Sequence, residues 1–280
     1  MQKSTAANKR GYLNEDFKLF HINDRRSMDF DSHTHDFHKI ILCLAGSVTY
    51  VIEGKTFILS PFDMLLVPRG TIHHSKTDSQ NAYERIVLFI DDAFLENSDD
   101  SGFLSRCFSL AVNKDKYLYS VKGESRKEII NSAEILEASS KDKNEGNEML
   151  KKASFIRLMV HINRLSPDDD GMKGTVSDEK IDDVIAYINE NFSKNISVSD
   201  IAERFHISRS YLMHRFKNVT GGSVHSFITQ KRLNFALSML REGHPATEAA
   251  LVCGFSDYTV FYKSFRKMFG YSPADAVSKR

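Results

Sequence analysis

Residues 197–221, which read SVSDIAERFHISRSYLMHRFKNVTG, decide the fold of the C-terminal region. The first four of these residues have the form of a capping box, so the sequence predicts that a short helix begins there. Residues 206–207 would form a tight turn, and Ser208 can cap a second helix that ends near Thr220. Two short helices joined by a turn of three or four residues form a helix-turn-helix.

The side chains of this unit divide into an inward set and an outward set. Ala202 is small enough to let the two helices cross closely, and Leu212 and Phe216 are spaced to fill the core behind the second helix. The second helix would present the following side chains outward: Arg209, Ser210, Met213, His214 and Lys217. Taken alone, this pattern is also that of an ordinary packed helical bundle.

The unit recurs further along the chain. Four positions are matched 49 residues later, with Leu212, Phe216, Lys217 and Gly221 corresponding to Phe261, Phe265, Arg266 and Gly270. Ala250 and a turn at residues 254–256 precede the second set, as Ala202 and its turn precede the first. A fixed displacement of chemically matched residues indicates an internal repeat. The helix expected at residues 224–241 would hold the two units rigidly apart.

The C-terminal region is basic, although the net charge of the whole chain is only +1. Residues 196–280 contain 12 Lys and Arg against 6 Asp and Glu, which suits a polyanionic partner. No apolar run approaches the roughly 18 residues that a membrane span needs. Cys43, Cys107 and Cys253 lie far apart among apolar neighbours, which favours buried thiols over a disulfide or a zinc site. We therefore expect a cytoplasmic protein that does not associate with membranes.

Residues 177–280 resemble the paired helix-turn-helix domain of the AraC/XylS (arabinose-regulator) family of transcription regulators. The matching residues include Ile201, Ala202, Ser208, Leu212, Phe216, Gly221, Arg232, Leu233, Ala236, Leu240, Glu248, Ala250, Gly254, Phe261, Phe265, Gly270 and Pro273. One departure is Ala249, where the family usually has a larger aliphatic residue.

This resemblance implies a sequence-specific regulator in which each recognition helix enters one major groove of double-stranded DNA. The expected base-reading residues are Arg209, Ser210, Met213, His214, Tyr258, Thr259, Tyr262 and Lys263. The expected phosphate contacts are Lys217, Arg266 and Lys267. The resemblance also implies a homodimer that contacts RNA polymerase and has no catalytic activity. Activation and repression both stay open at this point.

The N-terminal region predicts a β-structure followed by helices. Short apolar runs separated by turn residues between about residues 16 and 94 are typical of a sandwich or a barrel. Helical spacing begins near Ser125, with two apolar faces: Ile129, Ala133 and Leu136, then Leu150, Ala153, Ile156 and Val160. These faces could pack on the barrel, pair with a second subunit, or do both.

Two motifs in the β region resemble those of cupin barrels. They are residues 33–35 (HTH) with Gly46, and residues 68–73 (PRGTIH). In cupins, two His, a Glu and a third His commonly hold a metal, and imidazoles at i and i+2 on a strand point to one side. Here Lys39 stands where the Glu should be, and Phe62 replaces a glycine. We therefore expect no metal and no cofactor.

The analogy with the regulators implies a small-molecule effector, which could be a sugar, a carboxylate or an amphipathic metabolite. The implied pocket residues are His33, His35, Lys39, Tyr50, Arg69 and His73. Two alternatives remain: an enzymatic cupin, which the incomplete metal set disfavours, and a barrel that only dimerises.

The expected fold is a two-domain, α+β chain. Residues 1–165 would form a cupin-like β-barrel with flanking helices that binds the effector and dimerises. Residues 166–176, rich in turn formers and charge, would form a linker. Residues 177–280, with Ser177 as the first cap, would form an all-α double helix-turn-helix.

Overall fold

The computed structural model describes residue 13 and residues 15–25, 31–77, 82–165 and 178–276. The predicted linker at residues 166–176 and the predicted cap Ser177 lie outside these residues. Asp178 is the residue that caps the first helix of the C-terminal domain, where its side chain accepts a hydrogen bond from the backbone N–H of Ile181. Among the described residues, no helix is both long enough and apolar enough to cross a membrane.

The described part of the N-terminal domain contains two antiparallel sheets. The strands are β1 (Phe17–Asp24), β2 (His38–Ala45), β3 (Val48–Ile52), β4 (Lys55–Leu59), β5 (Asp63–Val67), β6 (His73–Thr77), β7 (Tyr83–Ile90) and β8 (Leu118–Ser120). One sheet has the order β1-β7-β2-β5-β8 and the other the order β4-β3-β6. The two sheets enclose an apolar core that the short apolar runs supply, and it includes the fully buried Ile41, Ile52 and Leu65.

Helices cover the outside of the larger sheet. They are α1 (Asp92–Ser98), α2 (Arg106–Asn113), α3 (Gly123–Lys141) and α4 (Asn147–Asn163). The predicted face of α3 is buried, whereas α4 turns a different face inward, with Phe155, Leu158, Met159 and Ile162 in the core. Most of the predicted face of α4 is therefore outward, and Leu150 is 60% exposed.

The C-terminal domain contains the two predicted helix-turn-helix units. Its helices are α5 (Glu179–Asn191), α6 (Val198–Arg204), α7 (Arg209–Thr220), α8 (Val224–Arg241), α9 (Ala246–Val252) and α10 (Tyr258–Phe269). The capping box at Ser197 and Asp200 is present, and the Ser208 side chain caps α7. Ala202, Ala250, Leu212 and Phe261 are all buried, as the repeat requires. The two-domain fold is confirmed.

The two units differ by one residue in their turns. After the first helix of each unit, one residue has a positive φ: His206 at +52° and Gly254 at +85°. The first turn then needs only Ile207 before its cap Ser208, whereas the second uses residues 255–256 before its cap Asp257. The extra residue explains why the alanines are displaced by one residue less than the recognition helices.

Phe62 shows why glycine is usual at this position of the second cupin motif. Its φ is +69°, a left-handed conformation that costs a residue with a Cβ about 1–2 kcal/mol. The Arg126 guanidinium lies 4.2 Å from the centre of the Phe62 ring, and this cation–π contact offsets part of that cost. The backbone geometry of the motif is therefore kept without its glycine.

Candidate functional site

The second helix of each helix-turn-helix unit presents its expected residues on the surface. The predicted residues that are exposed are Arg209, Ser210, Met213, His214 and Lys217 on α7, and Tyr258, Thr259, Lys263, Arg266 and Lys267 on α10. Tyr262 is half buried. Leu212 and Phe216 anchor α7 from behind, and Phe261 and Phe265 do the same for α10. The predicted DNA-contacting side chains other than Tyr262 are therefore accessible on both helices.

The helix α8 connects the two units through its buried side. Phe227 and Ile228 pack in the apolar cluster of the first unit, while Leu237 and Leu240 pack in that of the second. A single continuous helix with both ends embedded in separate cores fixes the spacing of α7 and α10. The helix predicted at residues 224–241 is therefore confirmed.

A cavity of about 920 Å³ lies at the mouth of the barrel. Five of the six predicted pocket residues line it together: His33, His35, Lys39, Tyr50 and His73. Its apolar walls include Phe37, Val87 and Phe89. The volume lies in the range of small-molecule sites, and the mixture of apolar walls with a few polar groups is typical of them.

The three histidines of this cavity lie close together, and all three direct Nδ1 at a backbone carbonyl. Their ring centres are 4.4 Å apart for His33 and His73, and 4.8 Å apart for His35 and His73. Each Nδ1 lies near a backbone carbonyl oxygen, those of residues 31, 37 and 71, at distances of 2.8, 2.7 and 3.1 Å. A carbonyl oxygen only accepts, so each Nδ1 carries the proton and each Nε2 offers a lone pair.

The segment that carries His33 and His35 is not a strand, contrary to the geometry assumed from the sequence. His33 forms only an isolated bridge with His73, through paired backbone hydrogen bonds of 3.0 and 2.9 Å. The chain then bends through residues 36–37 before β2 begins. The histidines face one cavity because the bridge brings the two motifs together.

Burial controls the charge of these histidines. It lowers the pKa of His35 and of His73 well below the usual value, and the nearby Lys39 cation acts in the same direction. Burial also lowers the pKa of His33. At neutral pH these three imidazoles are therefore neutral, and the Lys39 ammonium lies near them. The Lys39 Nζ lies 5.8 Å from the centre of the Tyr50 ring and 6.0 Å from that of Phe89.

The structure corrects the placement of Arg69. Its guanidinium lies 2.9 Å from Asp92 Oδ2, so the side chain points away from the histidines and lines a neighbouring crevice. His38 Nε2 binds the other oxygen of the same carboxylate at 2.8 Å. The Arg69 backbone N–H donates to His38 Nδ1, which gives His38 the opposite tautomer to that of the cavity histidines. These groups hold the barrel loops in place.

The DNA-binding domain closes one side of the cavity. Lining residues come from α8, including Thr229 and Gln230, and from α10, including Ser264, Lys267 and Met268. Lys267 is predicted to contact a DNA phosphate. It lies on the recognition helix α10 and also lines the cavity. A molecule in the cavity would contact both domains.

Polar contacts fasten α8 and the chain after α10 to the barrel mouth. The Lys231 Nζ lies 2.6 Å from Glu53 Oε2, and both side chains are largely buried. Asn234 Nδ2 donates to the Gly70 carbonyl oxygen at 2.8 Å. The Tyr271 hydroxyl donates to Asp36 at 3.0 Å. Burial raises the pKa of that Asp36 carboxyl.

Two family models match the two domains of this chain. One, described as an AraC-like ligand binding domain, matches residues 20–158, and the other, described as a helix-turn-helix domain, matches residues 201–278. The chain belongs to the AraC family of transcription regulators. Its N-terminal domain is a ligand-binding domain, and its C-terminal domain binds DNA through helix-turn-helix units.

Individual relatives match this AraC-family chain over different lengths. The HTH-type transcriptional activator RhaS of Salmonella paratyphi A is 25% identical over 253 residues, which are 88% of this chain and 87% of RhaS. A solved structure of an apo ToxT variant from Vibrio cholerae is 15% identical and covers 95% of this chain and 98% of its own, with a TM-score of 0.39. An AraC-family regulator from Rhodopseudomonas palustris is 28% identical over 36% of this chain and 97% of its own, with a TM-score of 0.35.

The donor set of the cavity does not fit the metal of catalytic cupins. Three imidazoles offer lone pairs, but Lys39, which stands in the sequence where cupins have Glu, places near them a cation that repels a divalent metal ion. Among the described residues, no group of three or more His, Cys, Asp or Glu side chains is placed to hold a metal ion.

Sequence reasoning missed part of the cavity wall. Arg85, Val87 and Phe89 alternate along β7 and line the cavity together. Their spacing of two was visible in the sequence and could have placed them on one face. The α8 and α10 residues carried no such signal, because their role at the cavity depends on how the domains dock.

The buried histidines predict that acid destabilises the protein. An unfolded histidine binds a proton near pH 6.5, whereas His35 and His73 stay neutral in the fold, so unfolding takes up protons as the pH falls below that value. Each such histidine should remove about 1.4 kcal/mol of stability per pH unit below about 6.5. His21, whose pKa two glutamates raise, acts in the opposite direction.

Urea unfolding of the full chain at several pH values would measure this slope. In the His35→Phe variant, the dependence of stability on pH should be smaller by the contribution of one histidine. A stability that stays constant between about pH 6.5 and pH 5 would contradict the neutral, buried imidazoles.

Proposed function

We propose that this AraC-family regulator is a cytoplasmic, homodimeric transcription activator, controlled by a small molecule bound in the barrel cavity. The molecule would contact the barrel histidines and Lys39 on one side and α8 and α10 on the other. The recognition helices α7 and α10 would bind two major-groove segments, and the bound protein would contact RNA polymerase. Activation is inferred from the similarity to RhaS, which is named a transcriptional activator. No catalytic activity is expected.

One observation carries this proposal: the same cavity is lined by residues of both domains. A ligand can change DNA affinity only if it binds two arrangements of the domains with different affinity. A molecule that touches Lys39 of the barrel and Ser264 of α10 meets this condition, because any change in domain docking alters its contacts.

A binding experiment with a matched variant tests the proposal. Metabolites are first screened by thermal shift on the full chain, and those that bind are then tested for their effect on affinity for a selected operator duplex. We expect at least one metabolite to change DNA affinity by about fivefold or more. The His35→Phe variant keeps the ring that stacks on Phe37, with centres 4.1 Å apart, but lacks Nε2, and should lose the response.

Two results would contradict the effector cavity. In the first, metabolites change DNA affinity equally in the wild type and in the His35→Phe variant, so that they act elsewhere. In the second, no metabolite binds while the protein binds its operator normally, which favours a barrel that only dimerises.

A homodimer is predicted to form through the outward face of α4. Met149 and Leu150 are 78% and 60% exposed, and Ile156 is 38% exposed. A stable contact of typical size buries roughly 1,600 Å² in total, and such an apolar face can form its centre. Sedimentation of the full chain at micromolar concentration should show a dimer, and the Leu150→Glu variant should be a monomer.

The Ile58→Glu variant is the matched control for the dimer. Ile58 lies on β4, is 52% exposed and is remote from α4 in the chain, so this variant should stay a dimer. If the wild type is a monomer, the proposed homodimer is excluded. If both variants dissociate equally, the dimer contact does not lie specifically on α4.

The barrel is predicted to work without a transition metal, because Lys39 occupies the carboxylate position. Elemental analysis of protein purified without chelators should find no stoichiometric iron, zinc or manganese. The prediction fails if one of these metals is present at one per chain and disappears in the His33→Gln or His73→Gln variant.

A further inference from the structure

The charge inside the effector cavity is unbalanced. Among the described lining residues, Lys39, Arg85 and Lys267 are cationic, and the single acid, Asp31, is exposed at the edge. Asp24 neutralises Arg85 at 2.9 Å. Within the described ranges, no carboxylate pairs with Lys39. Among the residues that the structure describes, the Lys39 ammonium therefore has no carboxylate counterion, and an anionic group on a ligand would provide one.

The cavity also contains hydrogen-bond acceptors without donors. Because the Nδ1 protons of His35 and His73 are already donated to backbone carbonyls, the Nε2 atoms can only accept. Both Nε2 atoms are buried and have no hydrogen-bond partner among the described residues. A buried acceptor without a donor is unfavourable, so a ligand that donates hydroxyl groups to both atoms gains affinity.

Beside His35 and His73 these two features favour a group with a single negative charge, because Lys39 is the cation that acts on both histidines. A carboxylate can sit against the Lys39 ammonium, whereas the additional anionic oxygens of a phosphate would face the lone pairs of the imidazoles. The rings of Phe37 and Phe89 form apolar walls suited to the C–H faces of a carbon skeleton.

We propose that the effector is a polyhydroxylated monocarboxylic acid of the sugar-acid class. Its carboxylate binds the Nζ of Lys39, and its hydroxyl groups donate to the Nε2 atoms of His35 and His73. This inference rests on the proposed function, in which the barrel cavity holds the effector, and it specifies the chemistry of that molecule.

The test uses sets of six-carbon probes that share one skeleton. Hexuronates and aldonates of the gluco, galacto and manno configurations are compared with their neutral aldoses, and with hexanoate, which has the charge but no hydroxyl groups. Calorimetry on the full chain should show that at least one hydroxy acid binds about tenfold or more tightly than its aldose. Hexanoate should bind more weakly than that acid.

Two lysine variants separate the cavity from general charge effects. Lys39→Met should remove the preference for the acid over the aldose. Lys76→Met is the matched control, because Lys76 is exposed on β6 and does not line the cavity, and this variant should keep the preference.

The proposal is overturned if an aldose binds as tightly as its acid, if hexanoate binds as tightly as the hydroxy acids, or if no hydroxy acid binds at millimolar concentration. After any of these outcomes, the proposal that the cavity binds an effector still stands if a metabolite of another class binds the wild type but not the His35→Phe variant. If no metabolite of any class binds, both inferences fail.

Discussion

The Gly254→Ala variant should lose most of its affinity for DNA and about 2–5 kcal/mol of stability. Gly254 occupies the turn of the second helix-turn-helix unit at a φ of +85°, which costs an L-residue with a Cβ about 1–2 kcal/mol. A Cβ there would also overlap the backbone carbonyl oxygen of Ser193. Ser193 follows α5, so relief of the overlap moves the second unit away from the first.

The Gly243→Ala variant introduces backbone strain without steric overlap, so it separates the two effects. Gly243 has a φ of +95°, but a Cβ there would meet no atom within 4 Å. Urea unfolding should show a loss of about 1–2 kcal/mol for this variant, with DNA affinity kept. Equal losses of stability and DNA affinity in the two variants would mean that contact with Ser193 does not hold the units in place.

The turn at Gly254 also shows what the sequence could predict. Periodic apolar residues, caps and the repeat were sufficient to place α6 to α10, because each of these signals is local. The helix α8 has the predicted bounds, Val224–Arg241. The one-residue difference between the two turns was already implied by the displacements of 48 residues for Ala202 and 49 for Leu212.

Other features could not be predicted because they depend on distant contacts. The helices α1 and α2 have only 7 and 8 residues, too few to show a clear period. Asp36 and Tyr271 are joined by a hydrogen bond across 235 positions, and Asn234 and Gly70 across 164. The docking of the DNA-binding domain on the barrel depends on such pairs. The cavity wall formed by α8 and α10 depends on that docking, so it could not be predicted either.

The division of DNA recognition between two helices predicts separate effects for two mutations. His214 is exposed on α7 and Lys263 on α10, so each should contact one short block of the operator. Helices held at fixed spacing on one face of the duplex would place these blocks about 34 Å apart, one helical turn. Lys263 can donate to guanine O6 or N7, and a good base contact is worth about 1–3 kcal/mol of discrimination, or up to about a hundredfold.

Selection of binding sites from random duplexes measures the effect. The Lys263→Ala variant should relax preference in one block and the His214→Ala variant in the other, while each leaves the second block intact. Lys217→Ala is the matched control: as a phosphate contact, Lys217 should weaken binding to all sequences alike and reduce the salt dependence by about one unit. If both base-contact variants degrade the same block, or if neither changes sequence preference, α7 and α10 do not read DNA as two separate elements.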